Sequence, residues 1–80
     1  MGPVTIVSTA AIDPGIGGSV IDVSCPANMQ IIGGGYQGSS NVITTFSSRI
    51  LTPGLGGTYR VAADDGGSTT ATIIVSAYCI

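Results

Sequence analysis

Apolar and polar residues alternate along most of this chain, with the period of two that is expected when one face of a β-strand is buried. The alternation is clearest after Ser19, where Ile21, Val23 and Cys25 fall on one side. Segments that follow this period, or that are rich in β-branched residues, cover 4–12, 19–25, 29–36, 42–51, 58–64 and 69–80. The pattern predicts an all-β fold, a six-stranded antiparallel β-sandwich of jelly-roll-like form.

Turn-forming residues separate these segments. Asp13-Pro14-Gly15 ends the first, and Pro26 stops the second because proline cannot donate to a β-ladder. Ala27-Asn28 is interpreted as the turn of a hairpin. Asp64–Ser68 is interpreted as a solvated turn, and a weak calcium site formed by its oxygens is the alternative. The last segment, 69–80, has no charge and would aggregate as a free edge, so we expect it to be a central or covered strand.

A near repeat links the two halves of the chain. Thr52–Tyr59 resembles Asp13–Val20 at an offset of 39 residues, and the flanking segments follow the same offset. We interpret this as two strand–turn–strand units, each followed by a third strand, which predicts internal pseudo-symmetry. Chance similarity of two glycine-rich turns is the alternative.

The triplet Gly33-Gly34-Gly35 lies inside a predicted strand. Glycines there usually mark a bulge or the close approach of another backbone, so these three are predicted to be packing or interface positions. A phosphate-binding loop is excluded, since no Gly-Lys-Ser/Thr motif and no helix follow.

The composition bears on size and surface. Eighty residues form one domain, 1–80, whose core alone is marginally stable. Charged residues are 8% of the chain, against about 25% in an ordinary domain. We therefore expect copies of the chain or a larger assembly to cover much of the surface. Cys25 and Cys79 favour one long-range disulfide, and two buried free thiols are the alternative.

Few side chains are suited to chemistry. The chain has no His, Glu or Lys, so no base is available for a serine nucleophile, and we expect neither an enzyme nor a metal or cofactor site. Two arginines give no basic patch, which argues against nucleic acid, and no apolar run could span a bilayer. Tyr36, Tyr59 and Tyr78 are possible stacking contacts for a sugar or partner, or else core residues.

Four short motifs together resemble a known domain. They are Val23-Ser24-Cys25-Pro26, Ile31–Tyr36, Tyr59-Arg60-Val61 and Ile73–Cys79. They are similar to a small β-domain at the C-termini of bacterial and phage collagen-like and tail-fibre-type proteins, with the pattern C-P-x-G, V-I-G-G-G-Y, W-x-V and A-x-C. This chain departs from it at Asn28, where the family favours Gly, and at Tyr59, where it favours Trp. The resemblance implies a trimeric surface module with Cys25 bonded to Cys79.

These features predict a non-enzymatic virion structural protein of a phage, a capsid decoration (cement) protein or a fibre module, that forms a homotrimer at the virion surface. Its expected partners are itself and capsid or fibre proteins. The alternatives are the trimerising, adhesive head of a secreted collagen-like protein at the cell surface, or a module that binds surface polysaccharide. The start of the chain lacks the features of a signal peptide, so we expect either release by lysis or a fragment whose leader has been removed.

Overall fold

The computed structural model describes residues 3–15, 19–39 and 43–80. The described residues form two antiparallel sheets, of four strands in the order β1-β7-β3-β5 and of three in the order β2-β6-β4. The strands are β1 (Val4–Ile12), β2 (Ser19–Ser24), β3 (Gln30–Gly38), β4 (Ile43–Thr52), β5 (Gly54–Leu55), β6 (Thr58–Asp65) and β7 (Ala71–Cys79). The all-β prediction is confirmed. The count of six was wrong because the turn before β6 contains the two-residue strand β5. The jelly-roll-like connectivity stays a prediction.

Strand β7 lies in the middle of the larger sheet, between β1 and β3. Its alternate residues form the centre of the core and are completely buried: Ala71, Ile73, Val75, Ala77 and Cys79. The period-two pattern therefore predicted the buried face of this strand correctly. The prediction that an uncharged, strongly β-prone strand must be central is confirmed as well.

The turn at Ala27-Asn28 is present, but it is not the turn of a hairpin. The Met29 amide donates to the carbonyl oxygen of Pro26 at 3.0 Å, which closes the turn. Strand β2 pairs with β6, whereas β3 pairs with β7 in the other sheet. The chain therefore crosses from one sheet to the other here, and the hairpin prediction was wrong.

The predicted pseudo-symmetry holds for some strands and fails for others. The second strands of the two units, β2 and β6, pair with each other, and so do the third strands, β3 and β7. The first strands break the relation, since β1 joins β7 in the larger sheet and β4 joins β6 in the smaller one. The near repeat in sequence therefore does not produce two equivalent halves.

A disulfide joins the two sheets at one end of the core. Cys25 directly follows β2 and Cys79 ends β7; the two Cα atoms are 5.8 Å apart and the sulfur atoms are bonded. Met29 and Ile31 are buried in the same core cluster as the two cysteines. The structure therefore favours the disulfide over two free thiols. The bond closes a loop of 54 residues, so it restricts most of the unfolded chain.

Candidate functional site

The glycine triplet lies between two tyrosine rings, one on each face of the larger sheet. In β3 the side chains alternate between faces, so Gly34 faces the core while Gly33 and Gly35 face outward. Tyr59 approaches Gly34 from the opposite sheet, and Tyr78 lies beside the other two glycines. In this structure aromatic side chains of the same chain therefore lie against the triplet, and the predicted approach of another backbone or subunit stays a prediction.

Gly34 allows Tyr59 to pack directly on the backbone of β3. A Cβ atom at Gly34 would lie 2.5 Å from Cδ1 of Tyr59 and 2.7 Å from the carbonyl oxygen of Ser76. Tyr59 is buried, and its hydroxyl forms a hydrogen bond with the Ser48 hydroxyl at the edge of the smaller sheet. This tyrosine is a core residue, so it is not available for stacking on a ligand.

Tyr78 has a different environment on the outer face. A Cβ atom at Gly33 would lie 3.5 Å from its Cδ2 atom, and one at Gly35 would lie 3.2 Å from its hydroxyl oxygen. The ring thus extends across the strip of backbone that the two glycines leave uncovered, and 42% of the residue is exposed. An exposed aromatic ring supported by backbone is suited to contact with a sugar ring or another protein.

The third tyrosine, Tyr36, is on neither of these surfaces. It pairs with the buried Val75, so it is directed toward the space between the sheets near their edge. Its hydroxyl accepts a hydrogen bond of 2.7 Å from Thr45 of β4, which links the two sheets. The three predicted stacking residues therefore do not form one aromatic surface.

The outer face of the smaller sheet carries most of the charge. Arg60 donates two hydrogen bonds of 2.8 Å to the Asp22 carboxylate on the neighbouring strand. These bonds lower the pKa of Asp22 and raise that of Arg60. Arg49 lies opposite Arg60, and Asp64 lies four residues further along β6 on the same face. Val20 and Phe46 are also exposed on this sheet. The charged side chains beside them keep this surface hydrated.

The outer face of the larger sheet has no charged residue among its three long strands. We call it the uncharged face. Strand pairing brings Tyr78 beside Thr5, and Ser76 beside Val7. The face consists of Thr5, Val7, Thr9 and Ala11 of β1, Thr72, Ile74, Ser76 and Tyr78 of β7, and Gly33, Gly35 and Gln37 of β3. A surface of threonine, serine and apolar residues is unusual for a freely soluble domain.

A shallow groove of about 180 Å³ lies at the end of this face that is farther from Tyr78. It is lined by Gln37, Gly38, Ser39, Thr72 and Ile74. The Ser39 amide donates to the Thr72 carbonyl oxygen at 2.9 Å, which joins the end of β3 to β7. Sequence analysis did not single out these residues, because the pairing of β3 with β7 is not visible in the order of residues.

The acidic segment at the end of β6 differs from the solvated turn that was predicted. Asp65 is 2% exposed, and its Oδ1 atom accepts a hydrogen bond of 2.9 Å from the Gly67 amide. Its Oδ2 atom has no hydrogen-bond partner in the described part of the chain. The solvated interpretation of Asp65 was therefore wrong. Among residues 3–15, 19–39 and 43–80, no three acidic or cysteine side chains form a possible metal site.

No protein-family model, curated protein or solved structure matches this chain. In the described ranges, no helix is long and apolar enough to cross a membrane. Two surfaces of this structure are available to a partner: the uncharged face with Tyr78, and the edges of the sheets.

Proposed function

We propose that this chain is a non-enzymatic structural protein of a phage virion, a capsid decoration (cement) protein or a fibre module. It acts at the virion surface by assembling symmetrically with copies of itself as a homotrimer and by contacting capsid or fibre proteins. No cofactor, nucleic acid or membrane insertion is part of this proposal. The resemblance of the Cys-Pro and triple-glycine motifs to surface modules of phages and bacteria supports the setting.

The observation that carries the proposal is the uncharged face. Val7 and Tyr78 are exposed on it, and no aspartate or arginine lies among them. A partner surface could cover this face without removing any charge from water, whereas covering the smaller sheet would desolvate Asp22, Arg60 and Arg49. The larger sheet is therefore the side on which assembly costs least.

The disulfide supports a role in a particle that persists outside cells. Cys79 is fully buried and Cys25 nearly so, so reagents reach the bond poorly while the domain is folded. Disulfides persist in oxidising surroundings and are rare in the cytosol. The small core of an 80-residue domain is only marginally stable by itself, and the disulfide adds to that stability.

Sedimentation of the purified protein between about 1 and 100 µM tests the assembly. An oligomer with a micromolar dissociation constant dissociates at the low end of this range, whereas a tighter oligomer persists throughout it. A species of three times the 7.9 kDa chain mass is expected. Thr72→Lys on the uncharged face should weaken it, whereas Thr44→Lys on the charged face is the matched control. A monomer throughout, or equal behaviour of the two variants, would contradict this assignment of the face.

Binding to the host particle is the second test. Cosedimentation with capsids or fibres of the phage that carries the gene should retain the wild-type protein and not Thr72→Lys. Retention by neither particle, together with a stable trimer, would favour the head of a secreted collagen-like surface protein instead.

A glycan-binding module is a second candidate, and the exposed ring of Tyr78 favours it. Affinity electrophoresis in gels containing bacterial surface polysaccharide should then retard the wild-type protein. Tyr78→Ala should remove the retardation, whereas Tyr36→Ala, which changes an equally exposed tyrosine off the face, should not. Equal migration of all three proteins would exclude this candidate.

A further inference from the structure

Within residues 3–15, 19–39 and 43–80, the long outer edge of strand β1 has none of the usual protection against pairing with another strand. In the described part of the chain β1 pairs only with β7, along all nine of its residues and without a register shift. Its sequence, Val4 to Ile12, contains no charge and no proline. Edge strands are normally blunted by charge, proline, bulges, short length or a covering segment.

The other edges of this molecule do carry such protection. Strand β4 has two register shifts and contains Arg49, and β2 is only six residues long and contains Asp22. Strand β3 has a register shift beside Gly33 and is covered at one end by β5. The bare edge of β1 is therefore a particular feature of this strand.

We propose that β1 pairs antiparallel with β1 of a second copy, about a two-fold axis at Ser8, so that two four-stranded sheets become one sheet of eight strands. The inference rests on the self-association in the proposed function and adds where two copies meet. A two-fold contact uses the same surface on both chains, whereas a closed trimer uses two different surfaces. Where the two-fold axis meets the three-fold axis, the two contacts together join two trimers into a hexamer; the β1 contact alone gives a dimer.

Ser8 is the middle residue of β1, so an axis at this position overlaps the whole strand. Val4 then lies opposite Ile12 of the second copy, and Ile6 lies opposite Ala10. Residues directly opposite each other in an antiparallel pair are on the same face of the sheet. The apolar inner faces of the two copies therefore become continuous.

The outer positions are compatible with this register too. Thr5 lies opposite Ala11 of the second copy, and Val7 lies opposite Thr9, so no charge meets a charge. Pairing of β1 with β2 or β4 of a second copy would instead place Asp22 or Arg49 beside an uncharged edge. Strand β3 of a second copy carries no charge either, but β5 already pairs with its first two residues, Gln30 and Ile31. The absence of charge and the unoccupied edge together favour β1 itself as the occupant.

Burial on the inner face points the same way. Val4, Ile6 and Ala10 pack against the core, yet they remain only partly buried because β1 is the last strand of its sheet. A strand added beside β1 would cover this remaining apolar surface. Backbone hydrogen bonds to the new strand would add the affinity that is typical of strand addition.

The first experiment is oxidative cross-linking of Ser8→Cys. Opposite residues in an antiparallel pair have Cα atoms about 4.5–5.5 Å apart, within the range for a disulfide. At the two-fold axis the new cysteine faces its own copy, so a covalent dimer is expected on non-reducing gels. Ala10→Cys is the matched control on the same face, since its two copies would be about 14 Å apart, four residues along the strand and one strand across.

The second experiment uses charge at the opposed pair. The double variant V7K/T9K places lysine opposite lysine twice and should weaken the two-fold association about tenfold. The variant V7K/T9E places lysine opposite glutamate and should restore it. Val20→Lys is the control, because Val20 is 53% exposed on the other sheet and Val7 is 55% exposed.

The outcomes separate this inference from the proposed function. A stable trimer whose Ser8→Cys variant forms no covalent dimer would overturn the β1 contact and leave the proposed function in place. Cross-linking of Ala10→Cys but not Ser8→Cys would overturn the register. A Ser8→Cys dimer in a protein that binds no virion component would keep the β1 contact and remove the proposed function. Equal association of V7K/T9K and V7K/T9E would overturn the pairing.

Discussion

Replacing Gly34 with alanine tests the packing of Tyr59, from the smaller sheet, against Gly34 in the larger sheet. The added Cβ atom would lie 2.5 Å from Cδ1 of Tyr59 and 2.7 Å from the Ser76 carbonyl oxygen. Both distances are shorter than side-chain packing tolerates. Gly34 does not have a positive φ, so the substitution introduces a steric conflict and no backbone strain of its own.

The size of the effect follows from what would have to move. Tyr59 is buried, and the Ser76 carbonyl belongs to the central strand β7, so neither has free space to retreat. Overpacking of a core costs about 1–3 kcal/mol, and two simultaneous conflicts place Gly34→Ala near the upper end. Removal of a flexible glycine from the unfolded chain returns about 0.5–1 kcal/mol. We expect a net loss of about 2 kcal/mol.

Urea denaturation followed by far-UV circular dichroism measures this loss. With a slope of about 1 kcal/mol per molar urea for a small domain, the midpoint should fall by about 2 M. Gly33→Ala is the matched control, since its Cβ atom would lie 3.5 Å from Tyr78 at an ordinary contact distance. That variant should be as stable as the wild type or slightly more so.

Two results would refute the reasoning. Equal midpoints for Gly34→Ala and Gly33→Ala would show that the sheets adjust freely at this point. Complete recovery of Gly34→Ala by the second substitution Tyr59→Leu would show that the Ser76 carbonyl presents no obstacle. We expect only partial recovery, because a smaller side chain removes one conflict of the two.

Three further predictions concern single interactions. Removal of the disulfide by the double substitution Cys25→Ala and Cys79→Ala should lower the free energy of unfolding by about 4 kcal/mol, measured by urea denaturation; a loss below about 1 kcal/mol would contradict the role of loop closure. Tyr59→Phe should cost about 0.5–1.5 kcal/mol through its lost hydrogen bond, and an unchanged midpoint would show that water replaces the partner. Asp22→Asn should slightly lower stability at pH 7: because the folded pKa of this carboxyl is lowered, its contribution is present above the usual pKa of about 3.9 and is lost as the pH falls through the folded value. Melting temperatures of variant and wild type should therefore converge as the pH falls through the lowered pKa of Asp22, and a constant difference would contradict the ion pair as the cause.

Strand positions and buried faces could be predicted because a single physical property, the period-two alternation, determines both. Ile21 and Val23 of β2 and the alternate residues of β7 are buried as expected. The sheet to which each strand belongs could not be predicted in this way. The alternation specifies which side of a strand is apolar, and both sheets offer an apolar side. For that reason β1 and β4 entered different sheets despite their similar surroundings in the sequence.

The candidate site was predictable in kind but not in detail. The glycine triplet within a strand predicted the close approach of another backbone or subunit, and the group that lies closest to Gly34 in this structure is the Tyr59 side chain. The identity of the approaching group depends on the registers of β6 and β7, which join residues far apart in sequence. The different environments of Tyr59, Tyr78 and Tyr36 have the same origin. Period-two reasoning assigns each tyrosine to one side of its own strand and says nothing about what faces it.

The few charged residues of this chain are unevenly distributed between the outer faces of the two sheets. If few charges were only a matter of composition, both outer faces would carry some of them. Instead Asp22, Arg49, Arg60 and Asp64 all belong to the outer face of the smaller sheet, and Asp65 is buried. The larger sheet has the uncharged face and the uncharged outer strand β1, and the remaining charge, Asp13, is exposed in the turn that follows β1. Assembly through the larger sheet, with the smaller sheet toward water, therefore places every one of these outer charges where solvation favours it.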